Sequence, residues 1–443
     1  MYLFLVRHFN DIDHITPIAW KMKTDGYPVA VYCMNPRYDI ANDYRLEFMK
    51  SKGAVVDYLH TAYRQGDPFY KFLQRLMNKG YCGKPSVWAI WAHNRRHAGI
   101  SSKVSEHLDW IAGKFAYKFM RKVYYHTRWA RSILEQTAAR VVCFDYVMPS
   151  LYVVDAFLKA AKEMSVPTLS LPHGIQLYTN EVTKPKSSDA RRFTKFNRFD
   201  YIIAPNQLRK EILIQSGVAG EKIAVLGSAR YCSEWLEQNK KIVPKVMRNN
   251  DSSSGKLKVV LMSSKPQCSM DVVRMINTFG ILADLEEIEA CIKPHTRTGG
   301  NKDIFDDIQL PNVSHVLTAE LCEWADVMLV VGSSVITEAL MRGKPVLYLK
   351  YLHANTTLPE EMGACWIIHN EVELKDALLS LDTDKTQVPY EEKNIAKFIS
   401  EIVHGGAAGS DVLNDYEKFI VGCASNTQPG SGRGGELNSD VRR

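Results

Sequence analysis

The chain has 443 residues, of which 46% are hydrophobic and 24% charged. That length exceeds one typical core, and that composition excludes a disordered or fibrous chain, so two folded domains are expected. The net charge of +7 suits an anionic ligand or a membrane surface without arguing for nucleic acid, and nine cysteines with no CxxC exclude a disulfide framework and read as reduced thiols.

The N-terminus "YLFLV" (2–6) meets its first charge at Arg7. It is too short for a signal peptide and reads as a first strand. No apolar run approaches the roughly 18 residues of a membrane span, so a cytoplasmic location is expected. After the first strand, Asn10, Asp11, Asp13 and His14 crowd what reads as a loop. A helix is expected to begin near Thr16–Pro17, with proline in its first turn. Asp11, Asp13 and His14 are candidate catalytic residues, at the carboxyl end of a strand. The alternative is that Asp13 or Thr16 caps the helix and His14 is merely exposed.

"PVAVYC" (28–33) is the next strand. Residues 61–135 then break the rhythm with an aromatic and basic insertion. Within it "WIAGKFAYKFMRKVYYHTRWAR" predicts a helix with an apolar row Ile111, Phe115 and Phe119 among Lys114, Lys118, Arg121, Lys122, Arg128 and Arg131. This face suits a membrane or glycan surface; packing into the first core, with the charges solvated, is the other reading. "RVVCFDY" (140–146), "PTLSL" (167–171), "YIIAP" (201–205) and "KIAVLG" (222–227) continue as strands separated by helical patterns, as in a parallel sheet. His173, in "LPHG", therefore lies at a strand's carboxyl end, on the same rim as His14. It is a candidate base, since histidine titrates near neutrality; a structural histidine in a turn loosened by Gly174 is the competitor.

A polar segment, 235–256, reads as a linker. The strand pattern restarts with "LKVVLMSS", "IEACIKP", "VSHVL", "DVMLVVG", "PVLYLK" and "CWIIH". The domains expected are thus 1–234 with its insertion, and 257–425, followed by a tail, 426–443, too polar and glycine-rich to fold. Three stretches of the second half suit phosphate. Ser263, Ser264 and Lys265 follow a strand end; an ordinary polar loop is equally compatible. The Lys293-Pro294-His295 run with Arg297 is dense in anion-binding groups. In "VVGSSVITEALMRGKP", Gly332, Ser333 and Ser334 open a helix whose N–H groups suit a diphosphate, and Glu338 lies one turn in.

The strand, Gly-Ser-Ser, helix, Gly-Lys-Pro, strand run at 325–349 resembles the nucleotide-binding half of GT-B glycosyltransferases. The N-terminal His-x-x-Pro and the "LPHG … FDYIIAPN … KIAVLG" order resemble the same superfamily, capsule or surface-carbohydrate synthesis proteins and CDP-glycerol glycerophosphotransferases among them. The resemblance implies an α/β fold of two Rossmann-like parallel-sheet domains facing a cleft. It implies a nucleotide-sugar donor on the second domain, held by Ser333, Ser334, His295, Arg297, the Ser263–Lys265 loop and Glu338. It implies a glycan or lipid-linked glycan acceptor at the first domain, met by His173 or the Asp11–His14 segment. No metal, cofactor or nucleic acid is called for, and a peripheral contact with the inner face of the membrane would bring a lipid-linked acceptor within reach. The function implied is a glycosyltransferase of bacterial surface polysaccharide. A CDP-glycerol-type polyol-phosphate transferase, a sugar-nucleotide 2-epimerase (similar in "TLPEEMGA") and a non-catalytic glycan-binding module stay open.

Overall fold

The computed structural model describes residues 1–62, 68–80, 100–151, 153–175, 177–180, 190–247, 255–263, 271–294, 310–407 and 409–425. Short, largely apolar runs form two parallel sheets, as runs buried on both faces do. The first holds β1 (Tyr2–Val6), β2 (Val29–Cys33), β3 (Val55–Tyr58), β4 (Val141–Phe144), β5 (Thr168–Ser170), β7 (Tyr201–Ala204) and β8 (Ile223–Val225), in the order β3-β2-β1-β4-β5-β7-β8. The second holds β9 (Leu257–Met262), β10 (Ile288–Lys293), β11 (Val327–Val330), β12 (Val346–Leu349) and β14 (Trp366–Ile368), in the order β10-β9-β11-β12-β14. A small antiparallel ribbon, β6 (Tyr178–Asn180) with β13 (Thr356–Thr357), joins the two halves.

Each sheet reverses its winding once, between β1 and β4 and between β9 and β11. Ligands of open α/β sheets bind in the crevice at the carboxyl ends of strands flanking such a reversal. The architecture is that of two Rossmann-like domains, as expected. Helices cover both faces of the first sheet, leaving one core around Leu5, Phe144, Phe157 and Trp129 and another around Phe4, Ile15, Met22 and Leu169.

Four local expectations are corrected. The helix after β1 begins at Phe9, not near Thr16, so Asp11, Asp13 and His14 are helical and Pro17 sits inside a helix running to Thr24. "VSHVL" is no strand: Val316 N–H turns back on the Val313 carbonyl, and the Lys293 ammonium takes the Ser314 and Val316 carbonyls. The segment read as a linker opens inside a helix, Ser233–Ile242. In the insertion, the helix Ile100–Val123 buries Gly113, Ala116 and Met120, while Phe115 and Phe119 of the expected apolar row point outward. The tail 426–443 lies outside the described residues.

The chain finally returns to the first half. Leu413, Tyr416 and Ile420 of the helix Val412–Ser425 pack in its second core. Gly227 makes this return possible: its φ is +81°, and a Cβ there would stand 2.1 Å from the Val403 carbonyl oxygen.

Candidate active site

β1 and β4 are neighbours with Leu5 opposite Phe144, so the residues just past their ends, Arg7 and Asp145, meet at the winding reversal. The Arg7 Nε donates to Asp145 Oδ2 at 2.8 Å, and the same guanidinium pairs with Asp11 at 3.3 Å. Because the helix starts only two residues past Arg7, Asp11 falls in its first turn. There its Oδ2 accepts from the backbone N–H of Arg7 (3.0 Å) and His8 (3.2 Å). Its Oδ1 lies 2.6 Å from Nδ1 of His173, three residues past β5.

Asp11 is fully buried. Burial opposes its charge, but the hydrogen bond from His173 and the charges of Arg7 and His8 hold its carboxyl well below the usual carboxylate range. Asp145 goes the other way: burial and the nearby Asp11 push it well up, against the pull of Arg7. His173 is half-buried, its ring edge-on to His8 at 5.4 Å, and Nε2 has no hydrogen-bond partner among the described residues. Gly174 is exposed, lacks a left-handed φ, and has open space where a Cβ would stand, so the turn does not need a glycine for its backbone. Asp11, Asp145 and His173 each offer a ligand atom, all within 4.8 Å of one another, a set able to hold a metal ion; the Arg7 guanidinium already pairs with both carboxylates.

A second charged layer begins two residues on along the helix. Asp13 pairs with Arg45 and, at 3.1 Å, with Arg230. Arg45, itself fully buried, also binds Asp43 and stacks over Phe9 at 4.0 Å. His14 is buried edge-on to Tyr231 at 6.3 Å; burial, with the charge of Arg230, holds its pKa well below the ordinary histidine value. Phe9, Asp13, Tyr44 and Arg230 of the first half and Thr318 and Glu338 of the second line one pocket in the cleft. Glu338, buried, bonds Arg342 at 3.2 Å.

In the second half Gly332 turns the chain with φ +54°, and Ser333 and Ser334 lead into the helix Val335–Met341. Ser334 makes no cap bond to that helix and lies beside the Tyr231 hydroxyl. A Cβ on Gly332 would stand 2.7 Å from the Tyr178 hydroxyl and 2.9 Å from His353 Nε2. That buried Nε2 has no hydrogen-bond partner among the described residues. Ser263 is buried at the end of β9, its N–H on the Lys293 carbonyl at 3.1 Å. Lys293 is buried too, and burial pulls its ammonium down to about 8. Ser264, Lys265, His295 and Arg297 lie outside the described residues.

The first and second halves are stitched together just downstream of His173. Leu177 enters the second half's core beside Met328 and Val330, its carbonyl accepts from Leu358 N–H at 2.8 Å, β6 pairs with β13, and the Tyr178 hydroxyl donates to the Gly332 carbonyl. The turn carrying His173 is thus tied to the turn carrying Ser333. Sequence reading passed over Arg7, Arg45, Asp145, Tyr178 and Arg230. Arg7 and Asp145 each directly follow a strand, and that position was the available signal.

No protein-family model matches the chain, and a comparison with curated proteins finds no match. Solved structures do match over nearly the whole length. A UDP complex of S. aureus MnaA is 13% identical with a TM-score of 0.51, covering 96% of this chain and 98% of that one. UDP-GlcNAc 2-epimerase from Neisseria meningitidis, bound to UDP-GlcNAc, gives 13% and 0.51 over 96% and 100% of the two chains. The UDP-GlcNAc 2-epimerase of Methanocaldococcus jannaschii gives 11% and 0.51 over 94% and 99%. At such identity the likeness is one of fold. The chain has the GT-B fold.

Among the described residues no helix is long and apolar enough to cross a membrane.

Proposed function

We propose that the chain is a glycosyltransferase that moves a sugar from a nucleotide donor to a hydroxyl of a glycan acceptor, such as a growing surface polysaccharide. The observation that carries this reading is the Asp11–His173 pair: Nδ1 of His173 lies 2.6 Å from a buried carboxylate, and Nε2 has no partner among the described residues. A carboxylate on one ring nitrogen fixes the tautomer and orientation that make the other nitrogen a general base. Asp11 orients the base and His173 acts. Asp13, already paired with two arginines, and His14, buried and neutral, shape the pocket wall instead.

In the step proposed, the acceptor hydroxyl gives its proton to His173 Nε2 as its oxygen bonds to the anomeric carbon of the donor. The bond from that carbon to the diphosphate oxygen breaks, and the nucleoside diphosphate leaves with inverted configuration at the sugar. The leaving charge goes to the Gly332–Ser334 turn and to Lys265, His295 and Arg297. Hydroxyls and free N–H groups stabilise such charge without reorganising. His353 Nε2, buried and unpartnered against Gly332, supports a polar ligand at that turn. Glu338 is assigned to the donor's sugar or ribose hydroxyls.

A second reading, a UDP-GlcNAc 2-epimerase, is favoured by the names of the solved structures that share the fold. Incubation with UDP-, CDP-, GDP- and CMP-linked donors tests both. Release of free nucleotide that depends on an added glycan acceptor supports the transferase. Conversion of UDP-GlcNAc to its 2-epimer with no acceptor present overturns it in favour of the epimerase.

A further inference from the structure

The two insertion helices, Pro68–Gly80 and Ile100–Val123, pack along each other. Their inner sides are anchored: Tyr70, Leu73, Met77, Ala116 and Met120 belong to the first core. Their outer sides are not what a solvated helix shows. Phe69, Phe72, Phe115 and Phe119 are exposed by 49%, 54%, 69% and 44%. Among the described residues only Phe9 joins them as an exposed phenylalanine. The Phe69 and Phe119 rings meet edge to face at 5.8 Å, so the patch is continuous across both helices.

Lys71, Arg75, Lys114, Lys118, Arg121 and Lys122 are exposed around these rings, and neither 68–80 nor 110–123 contains an Asp or Glu. The Lys114 ammonium lies 4.9 Å over the Trp110 ring. We propose that this face docks on an anionic lipid bilayer. Phenylalanine enters the acyl boundary while lysine and arginine, on long stems, meet the headgroups. The joint pattern selects the occupant. A partner protein would be met by aromatic rings within a mixed polar rim, and a soluble polyanion by charge without a protruding apolar row; a bilayer is the surface that is anionic above and apolar below. The face also sits near the working rim. Trp110 lies 5.9 Å from Arg37, which follows the carboxyl end of β2, so a chain docked here holds its strand ends close to the lipid surface. The inference stands apart from the enzymatic reading, since it needs no donor.

Co-flotation of the full chain with vesicles tests it. One set is phosphatidylcholine mixed with phosphatidylglycerol, the other phosphatidylcholine alone, both at low salt. The chain is expected to float with the mixed vesicles only and to be released by high salt. Two variants report on the two chemistries: Phe115→Ser with Phe119→Ser, and Lys114→Gln, Lys118→Gln, Arg121→Gln and Lys122→Gln together. Each is expected to weaken binding about tenfold or more with the melting temperature unchanged, because these side chains are exposed. Absence of flotation with the mixed vesicles overturns the proposal. So does flotation unaltered in both variants, or binding lost to the charge variant and to free heparin but untouched by the serine variant, which marks a polyanion site. A dimer of the wild type that the serine variant turns into a monomer would assign the patch to a second copy of the chain.

Discussion

The two sheets reverse their winding in the same way, yet they furnish the two crevices with opposite chemistry. Past β1, β4 and β5 stand Arg7, Asp145, Asp11 and His173, a buried network of charges in contact with one another. Past β9 and β11 the described residues are Ser263 and Gly332–Ser334, hydroxyls and backbone N–H groups without formal charge. Among the described residues, the nearest charged groups there are committed: Glu338 to Arg342, and Lys293 to two carbonyls. Burying charge is costly unless it is paired, so a fold retains such a network where orientation or proton movement needs it. A neutral turn suits a ligand that brings its own charge. On the function proposed above, the first crevice would act on a proton and the second would receive an anion.

The sharpest test of that contrast removes the imidazole. His173→Ala should lower kcat by about 100-fold or more, the usual scale for a lost general base, while the donor KM stays within about twofold. Asp11 remains paired with Arg7 in this variant, so the fold should persist; a circular dichroism melt checks it. Normal kcat with a lowered melting temperature would make His173 a structural histidine and remove the distinction between the crevices.

The converse test removes hydroxyls from the other turn. Ser333→Ala together with Ser334→Ala should raise donor KM about tenfold, since hydrogen bonds to a charged ligand contribute about 1.5–3 kcal/mol each and part of that is recovered by water. The loss should appear directly as weaker nucleotide binding by calorimetry. Unaltered nucleotide affinity with a collapsed kcat would invert the assignment and place the chemistry in the second half.

Much of this arrangement was legible in the sequence, and the reasons for the rest are physical. Nearly every strand of both sheets stood out as a short, largely apolar run between helical patterns. β3, "VVDY", escaped because it is short, partly exposed and carries Asp57. His173 and the Gly332–Ser334 turn were singled out because they follow apolar runs, and the structure does place them past the carboxyl ends of β5 and β11. The start of the first helix was misplaced because Pro17 is a strong first-turn signal, whereas His8 and Asp11 form a capping box that sequence alone does not announce. That one shift converted Asp11 from a loop acid into the buried partner of His173. The outward turn of Phe115 and Phe119 was hidden for another reason: in "GKFAYKFM" two rows of apolar residues compete for the core, and the smaller Ala116 and the flexible Met120 fit against Met77 and Tyr70. Arg45, Arg230 and Tyr178 depend on contacts between segments far apart in the chain, which spacing cannot reveal.

The smallest effect concerns the charge held least firmly. Lys293 is buried under the second crevice, its ammonium bonded to the Ser314 and Val316 carbonyls, and burial brings its pKa down to about 8. Between that pH and the ordinary lysine value, the unfolded chain holds a proton that the folded chain has released, so this group makes stability rise with pH. Among the described residues seven buried cysteines oppose it, because burial raises their thiol pKa and the unfolded chain loses those protons first. The wild type as a whole is therefore expected to lose stability above neutrality, and the lysine must be read as a difference. Lys293→Met keeps the volume and removes the titration. Measured by urea unfolding, the stability of the wild type relative to this variant should grow with pH between about 8 and the ordinary lysine value, at up to about 1.4 kcal/mol per pH unit, the slope of one proton. A difference that stays flat would mean that the ammonium is as securely charged as the guanidinium of Arg7. The second crevice would then rest on a fixed cation, and the contrast with the first would narrow to its buried carboxylates and the histidine they hold.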